Sequence, residues 1–267
     1  MRLEDSVIIV TGATAGIGAS IARKVAESES KLVITGRREE LLKTQSAAYP
    51  LPNEQLLIVA GDIRNEEFCQ NLIKQTISKF GRVDVMINNA GLGHLGWLTD
   101  IPSDDLQQIW ETNVYGLAYL SQAVAKVMQT QSVESHTKRR GQIINVSSIV
   151  GDRPLMNQGI YTASKAAVNG YSRALRMELA EHDITVSILY PGLTATEFHS
   201  VRLGRKAQTR KKNQGVSAEL VAEVVLRAIE NQKQEIYVTL YDWFFVQANR
   251  HFPRLTDYVF QHVANGK

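Results

Sequence analysis

Short runs of β-branched and other apolar residues alternate along this chain with longer segments in which apolar residues recur at helical spacing. The runs predict strands at residues 7–10, 31–35, 56–60, 83–88, 142–146 and 185–189, with a weaker seventh at 235–239. The segments between them predict helices at residues 17–28, 39–48, 66–80, 104–128, 161–181 and 218–231. Strands that are apolar throughout are typical of a parallel sheet that helices cover on both faces. We therefore expect an α/β fold, a doubly wound parallel sheet of about seven strands joined by right-handed βαβ units.

Composition and charge exclude several classes of protein. Of the 267 residues, 44% are hydrophobic and 21% are charged, which fits a globular protein and excludes a disordered or fibrous chain. We expect a single domain over residues 1–267, because no linker rich in proline or glycine divides the chain. A net charge of +3 gives no indication of a nucleic-acid partner. Cys69 is the single cysteine and the six histidines lack metal-site spacing, so we expect neither a disulfide nor a bound metal.

The sequence shows no pattern that directs a protein to a membrane or to secretion. Glu4 and Asp5 stand where a secretory signal would begin its apolar region. Every apolar run is far shorter than the ~20 residues that cross a bilayer. These observations favour a cytoplasmic protein.

A glycine-rich turn follows the first predicted strand and opens the first predicted helix. Its sequence is TGATAGIG, at residues 11–18. Glycines in such a turn let the backbone approach a pyrophosphate, whose charge is met by N–H groups at the helix N-terminus. The Gly-Lys-Ser/Thr ending of an NTPase phosphate loop is absent, which disfavours NTP hydrolysis. The turn predicts a dinucleotide site, and a tight turn without a ligand is the alternative.

Two arginines follow the second predicted strand, where the chain reads Gly36, Arg37 and Arg38. A carboxylate at this position would bind a free ribose 2′-hydroxyl and would repel a 2′-phosphate. A guanidinium instead binds phosphate through a planar fork of charge-assisted hydrogen bonds. We therefore predict NADP(H) in preference to NAD(H). The alternative is that Arg37 and Arg38 only solvate the start of a helix.

Tyr161 and Lys165 lie four residues apart, on one face of a predicted helix. A free phenol has a pKa of about 10, and we expect the neighbouring ammonium to lower that pKa towards neutrality. Ser148 follows a predicted strand, and its hydroxyl can donate to a carbonyl oxygen while accepting from Tyr161. Ser147 is the neighbouring candidate, and Asn113, inside a predicted helix, needs a polar partner there. This set predicts a tyrosine that acts as general acid or base.

Together these motifs resemble those of the short-chain dehydrogenase/reductase family in its compact single-domain form. The resemblance covers most of residues 4–240 and rests on TGxxxGxG at 11–18, Asp62, NNAG at 88–91, Asn113, Ser148, YxxxK at 161–165 and PG at 191–192. It implies a Rossmann-like fold with a mainly dinucleotide-binding half at residues 1–110, a catalytic half at 111–240 and a substrate lid at 194–215. It also implies a homodimer or homotetramer formed through the helices at 104–128 and 161–181.

The resemblance further implies roles for individual residues. Tyr161 would protonate a carbonyl oxygen, or act as the base in the oxidative direction, while Lys165 would lower its pKa and bind the nicotinamide ribose. Ser148 would polarise the substrate carbonyl, and Asn113 would hold a water that links Lys165 to solvent. The predicted reaction is hydride transfer between nicotinamide and a carbonyl or alcohol carbon of a small-molecule substrate. The residues implied to bind NADP(H) are Gly12, Thr14, Gly16, Ile17, Gly18, Arg37, Arg38, Asp62, Ile63, Asn89, Gly91, Tyr161, Lys165, Pro191, Gly192, Thr194 and Thr196, of which Thr194 stands where a β-branched apolar residue is often found.

Several questions stay open at the level of sequence. The basic stretch 202–212 in the lid would either attract an anionic substrate or form a solvated loop. The aromatic C-terminal tail at 241–267 could cover the substrate cavity, join a subunit interface or touch a membrane surface, in that order of preference. His94 could border the cleft, although a solvated loop histidine is the simpler interpretation. A redox-silent nucleotide-binding sensor or scaffold is the alternative to an enzyme, and the presence of Asn113, Ser148, Tyr161 and Lys165 together favours the enzyme.

Overall fold

The computed structural model describes residues 3–134, 138–205 and 215–264, and a parallel sheet forms its centre. The strands of this sheet are β1 (Val7–Thr11), β2 (Lys31–Gly36), β3 (Leu56–Ala60), β4 (Val85–Asn88), β5 (Gly141–Val146), β6 (Ile184–Tyr190) and β7 (Glu235–Tyr237). Neighbouring strands are parallel, in the spatial order β7-β6-β5-β4-β1-β2-β3. The predicted doubly wound sheet of seven strands is confirmed.

Helices cover both faces of the sheet. They are α1 (Gly16–Ala26), α2 (Glu39–Ser46), α3 (Glu66–Phe80), α4 (Ser103–Trp110), α5 (Gly116–Thr130), α6 (Gly159–Leu179), α7 (Ala218–Asn231), α8 (Leu240–His251) and α9 (Pro253–Ala264). Alternate residues of β1 enter different cores, since Ile8 and Val10 pack with α1 and α7 whereas Ile9 packs with α3, α5 and α6. Both faces of the strand are therefore buried, which explains why the strands are apolar throughout.

The helix predicted at residues 104–128 is interrupted in the structure. After α4, a π-helical turn at Glu111–Tyr115 precedes α5. Asn113 lies in this wider turn and is buried. Helical spacing of apolar residues continues through the interruption, so periodicity alone gives no sign of it. Such turns are frequent at functional sites.

The described part of the aromatic C-terminal segment is helical, because α8 and α9 follow the last strand. Residues 265–267 of that segment lie outside the described residues. Thr239, predicted as the final residue of that strand, is the N-cap of α8. Its hydroxyl accepts from the Asp242 N–H at 3.1 Å, and the Asp242 carboxylate accepts from the Thr239 N–H at 3.0 Å. This reciprocal capping box ends the strand early, at Tyr237.

Two short parallel pairings organise the described part of the predicted lid. Thr194–Ala195 pairs with Val216–Ser217, and His94–Leu95 pairs with Leu203–Gly204. The second pairing joins the lid to the loop after β4. Lys206, Arg210, Lys211 and Lys212 of the basic stretch lie outside the described residues.

Within the described ranges, no helix combines the length and the apolar character that a membrane span requires. The same ranges contain no group of three or more His, Cys, Asp and Glu side chains placed to hold a metal ion.

Candidate active site

A cleft of about 680 Å³ opens beyond the carboxyl ends of the strands. The strand order reverses between β1 and β4, and ligands of doubly wound folds bind at such a reversal. The predicted residues Gly12 and Asn89 follow these two strands, and both line the cleft. Of all the site residues predicted from the sequence, only Gly18 and Asn113 are absent from its described lining.

At Gly12 and Gly18, the glycine turn after β1 leaves no room for a side chain. Gly12 and Gly16 have φ values of +65° and +57°, in the left-handed region that favours glycine. A Cβ on Gly12 would lie 2.8 Å from the Ala90 Cα. A Cβ on Gly18 would collide with the Gly12 carbonyl and the Asn89 side chain, so Gly18 serves the packing of the turn although it does not line the cleft.

Thr11 and Asn89 hold this turn against the end of β4. The Asn89 Nδ2 donates to the Thr11 carbonyl at 2.8 Å, and the Thr11 hydroxyl accepts from the N–H groups of Asn89 and Ala90 at 2.9 and 3.0 Å. Thr11 was not among the predicted site residues. Its place at the head of the TGxxxGxG motif is the signal that could have identified it.

The arginines after β2 line the cleft beside the glycine turn and are exposed. The Arg38 Nη2 donates to the Thr14 hydroxyl at 3.0 Å. Arg37 has neither a hydrogen-bond nor an ion-pair partner within the part of the chain that the structure describes. Its guanidinium is therefore a positive charge on the cleft wall without a direct ion pair among the described residues, and this charge acts at longer range on the Asp62 carboxylate.

Asp62 and Ile63 line the cleft after β3. Asp62 forms an ion pair with Arg64 at 2.7 Å. Burial raises the pKa of the Asp62 carboxyl, but the hydrogen bonds and charge of Arg64, with the charge of Arg37, hold it below its usual value. Ile63 is buried and packs against Gly116 at the start of α5.

The segment after β6 forms the opposite rim. Pro191, Gly192, Thr194 and Thr196 line the cleft there. The Thr194 hydroxyl donates to the Gly192 carbonyl at 3.2 Å, so this threonine is satisfied within its own turn. The Thr196 hydroxyl accepts from the Phe198 N–H at 3.3 Å, and its side chain lies against Gly16. Thr196 thereby joins this rim to the glycine turn.

Ser148 and Tyr161 meet inside the cleft. The Ser148 hydroxyl donates to the Pro191 carbonyl at 3.3 Å and lies close enough to the Tyr161 phenol to influence its pKa. Ser147, the neighbouring candidate, donates instead to the Lys165 carbonyl at 3.3 Å. Ser148 is therefore the serine that the structure places in contact with the phenol.

The electrostatics of Tyr161 and Lys165 differ from the sequence-based expectation. Burial raises the pKa of the Tyr161 phenol to about 12, although the neighbouring Ser148 hydroxyl opposes this. The Lys165 Nζ lies 5.9 Å from the centre of the Tyr161 ring and donates to the Val146 carbonyl at 2.8 Å. Burial lowers the pKa of this ammonium to about 8. The expected fall of the phenol pKa towards neutrality is thus wrong for this structure, because desolvation of the buried phenol is the largest influence on its pKa.

Asn113 lies behind the cleft and contacts the loop after β4. Its Oδ1 accepts from the Leu92 N–H at 2.7 Å, while its Nδ2 donates to the Leu92 carbonyl and to the Ser164 hydroxyl, both at 2.9 Å. These are the polar partners that a buried asparagine requires. Its Oδ1 and the Lys165 Nζ both lie close to Gly91, at 3.3 and 3.5 Å from the position of a Cβ there.

The structure also contradicts the expectation that His94 is a solvated loop histidine. The side chain is buried rather than solvated, and the residue lines the cleft. The ring lies between Gly96 and Gly204, where added Cβ atoms would come within 3.0 Å of Cε1 and 2.8 Å of Nε2. Burial lowers the pKa of His94, although Asp105, whose Oδ2 lies 3.6 Å from Nε2, raises it. The pairing of residues 94–95 with 203–204 explains this burial, because it brings the lid onto the ring.

Sequence reasoning did not identify most of a further part of the lining, which we call the distal wall. Its residues come from the loops after β4, β5 and β6 and from α8, where no residue type or spacing marks a site. The position of the lid and the aromatic content of the C-terminal segment were the available signals. The distal wall consists of Leu92, Gly93, His94, Ile149, Val150, Leu155, Gln158, Leu193, Glu197, Phe198, Val201, Arg202, Tyr241 and Phe245.

Comparison with known proteins agrees with this architecture. The family model for short chain dehydrogenases matches residues 6–205. An uncharacterized oxidoreductase of Bacillus subtilis (strain 168), YxnA, is 31% identical over 266 residues, which is 98% of this chain and 73% of the relative.

Two solved structures show the same fold. A short chain dehydrogenase/reductase from Burkholderia phymatum in complex with NAD has a TM-score of 0.84 at 24% identity, covering 96% of each chain. A short chain dehydrogenase from Burkholderia cenocepacia in complex with NADP has a TM-score of 0.79 at 22% identity, covering 97% of this chain and 99% of that one. With the family model and the curated relative, these findings confirm the resemblance of the motifs: the chain belongs to the short-chain dehydrogenase/reductase family.

Proposed function

We propose that this oxidoreductase is NADP(H)-dependent and transfers a hydride between nicotinamide and a carbonyl or alcohol carbon, with Tyr161 as the general acid or base. The observation that carries the proposal is the convergence of Ser148, Tyr161 and Lys165 in one cleft, with the Lys165 Nζ 5.9 Å from the centre of the Tyr161 ring. A sensor that only bound a nucleotide would have no chemical need for this arrangement.

The cleft fits a nicotinamide dinucleotide on its own geometry. The glycine turn excludes side chains at Gly12 and Gly18, where a pyrophosphate would approach the start of α1, and Asp62 on the cleft wall would contact the adenine. Asn89, Gly91, Pro191, Gly192 and Thr194 would hold the nicotinamide end, and Lys165 its ribose. The bound cofactor would supply the hydride for reduction or accept it in oxidation.

The protein residues would supply the proton and position the substrate. Because the pKa of Tyr161 is about 12, the phenol is protonated at neutral pH and suited to donate its proton to a carbonyl oxygen. The Ser148 hydroxyl would donate to the same oxygen and so orient the carbonyl. The Lys165 ammonium would stabilise the phenolate that remains after proton transfer. Asn113 would act as a positioning residue, through the Leu92 backbone.

The preference for NADP(H) rests on Arg37 and Arg38, since solved family members hold NAD in one case and NADP in another. We expect the chain to bind NADPH at least tenfold more tightly than NADH, because a guanidinium bound to a 2′-phosphate forms charge-assisted hydrogen bonds. Arg37→Ala is expected to weaken NADPH binding about tenfold and to leave NADH binding within twofold. Titration of the cofactor's fluorescence measures both.

Lys43→Ala is the matched control for Arg37→Ala. It also removes one exposed positive charge near β2, but Lys43 pairs with Glu39 at 2.8 Å and does not line the cleft. A wild-type preference for NADH, or equal losses of NADPH affinity in the two variants, would contradict the assignment.

A panel of carbonyl compounds tests the function as a whole. We expect oxidation of NADPH that depends on added ketone or aldehyde, with matching formation of the alcohol. Activity with a compound of the panel excludes the redox-silent alternative. Tight NADPH binding without any turnover across a chemically broad panel would favour that alternative.

A further inference from the structure

Helix α8 brings two aromatic side chains to the cleft. Tyr241 and Phe245 lie one helical turn apart, with ring centres 6.3 Å apart, and both line the distal wall. Phe245 also packs, together with Leu155 and the ring of Tyr161, against one buried apolar cluster. The C-terminal helix is therefore in the same packing unit as the proposed acid.

Helix α8 is held firmly in this position. Val246 is fully buried in that cluster, beside Ile149 and Val150 of the loop that follows Ser148. Asp242 of the capping box is buried against Gly192, leaving no space for a Cβ there.

Polar contacts fix the other end of α8 to the same loop. Arg250 donates to the Asp152 carboxylate at 3.0 Å, and Asn249 donates to the Asp152 carbonyl. Arg153 bonds in turn to Asp257 of α9. This part of the distal wall is consequently preformed.

The lid supplies the facing surface, which is also apolar. The Phe198 ring lies 5.6 Å from that of Tyr161 and closes directly over Gly93. Leu193, Val201 and Tyr241 line the cleft and yet are 38%, 59% and 69% exposed. The apolar lining thus continues from the phenol to the outer surface of the protein.

We infer that the substrate is a carbonyl compound with an uncharged, extended apolar body, and that Tyr241 and Phe245 determine specificity for that body. The inference rests on the function proposed above and names its substrate class. The carbonyl would lie at Ser148 and Tyr161, and the body would run between the lid and α8 towards Tyr241. Among the described residues of the distal wall, Glu197 and Arg202 are the ones with charged side chains at neutral pH, which leaves most of the path apolar.

A series of unbranched 2-alkanones from four to twelve carbons, reduced with NADPH, tests the inference. Wild-type kcat/KM is expected to rise about fourfold for each added methylene until the body reaches the open end of the cleft, and then to level off. Phe245→Ser should lower kcat/KM for the longest ketones about tenfold more than for 2-butanone, so that the dependence on chain length flattens. Phe245→Leu should restore most of the loss.

Phe244→Ser is the matched control, since Phe244 is the adjacent aromatic residue of α8, is exposed and does not line the cleft. It should leave the dependence on chain length unchanged. Calorimetric binding of 2-alkanols in the presence of NADPH, where no hydride transfer can occur, provides a second readout and should show the same dependence.

The outcomes separate the inference from the proposed function. Turnover that does not change with chain length, or a preference for carboxylated ketones over neutral ones of equal length, overturns the inference and leaves the oxidoreductase proposal intact. Absence of turnover with every ketone counts against the proposed function. In that case the alkanol series decides the inference, because length-independent binding overturns it and length-dependent binding supports the apolar path.

Discussion

Replacing Tyr161 by phenylalanine is expected to lower kcat for carbonyl reduction by about 10²–10⁴-fold, the range in which a positioned general acid contributes. The phenylalanine ring keeps the contact with Phe198 and the packing against the buried cluster that includes Val246. What it removes is the hydroxyl that lies near Ser148 in the cleft. The variant should therefore fold and bind NADPH within about twofold of the wild type.

The measurement pairs single-turnover oxidation of NADPH with a fluorescence titration of the cofactor. Tyr171→Phe is the matched control, because Tyr171 lies on the same helix, is also partly buried and donates to the Ala118 carbonyl at 3.5 Å, away from the cleft. It should retain full activity. A Tyr161→Phe protein with intact cofactor binding and undiminished turnover would refute the proposed acid.

The sheet could be predicted from the sequence because both faces of its strands are buried. Ile8, Ile9 and Val10 enter opposite cores in turn, so the strand is uniformly apolar and its boundaries are sharp. The glycine turn was predictable for a similar reason. Gly12 and Gly18 stand where any side chain would collide with the backbone or with a neighbour, and this steric requirement leaves a mark on the sequence.

The distal wall could not be predicted because most of its residues only need to fill space and reach the cleft, which many side chains do equally well. Phe245 lines the cleft whereas Phe244 faces outward, and nothing in their sequence context distinguishes the two. The burial of His94 depends on pairing with residues more than a hundred positions later. The pKa of Tyr161 depends on desolvation in the folded chain, which the spacing between a tyrosine and a lysine does not contain.

Some predictions are not tested by the fold or by the relatives. The assignment of residues 1–267 to one domain, with its dinucleotide-binding and catalytic halves, stays a prediction. The cytoplasmic location and the homodimer or homotetramer formed through α4–α5 and α6 likewise stay predictions. The location and the oligomeric state depend on surroundings and contacts beyond a single chain. The division into halves depends on which residues act together in catalysis.

Lys165→Met is expected to lower kcat about a hundredfold and, at the same time, to stabilise the protein. The ammonium lies 5.9 Å from the centre of the Tyr161 ring. A charge pair about 6 Å apart at an effective dielectric constant near 20 is worth roughly 3 kcal/mol to a phenolate, and methionine supplies none of this. In the wild type, kcat for reduction should fall as the pH rises through about 8, where Lys165 loses its charge. Tyr161 stays protonated across that range, since its pKa is about 12. The variant should be insensitive to pH there.

The gain in stability follows from the direction of the same pKa shift. Burial lowers the pKa of Lys165 from 10.5 to about 8, so between these values the unfolded chain binds more protons than the folded one and stability rises with pH. Below pH 8 the folded protein bears the full cost of the buried charge, roughly 3 kcal/mol. Methionine removes that cost but also loses the hydrogen bond to the Val146 carbonyl, worth roughly 1 kcal/mol, so a net gain of about 2 kcal/mol is expected at pH 7.

Denaturant unfolding at pH 7 and pH 10, together with pH–rate profiles, measures these effects, and the gain should shrink at the higher pH. Lys126→Met, on the exposed face of α5, is the control and should change neither stability nor kcat. A variant that loses activity while gaining stability identifies the buried charge as a feature kept for chemistry rather than for folding. A variant that loses both would show that Lys165 supports the structure around Val146, and the proposed electrostatic role would then have to be abandoned.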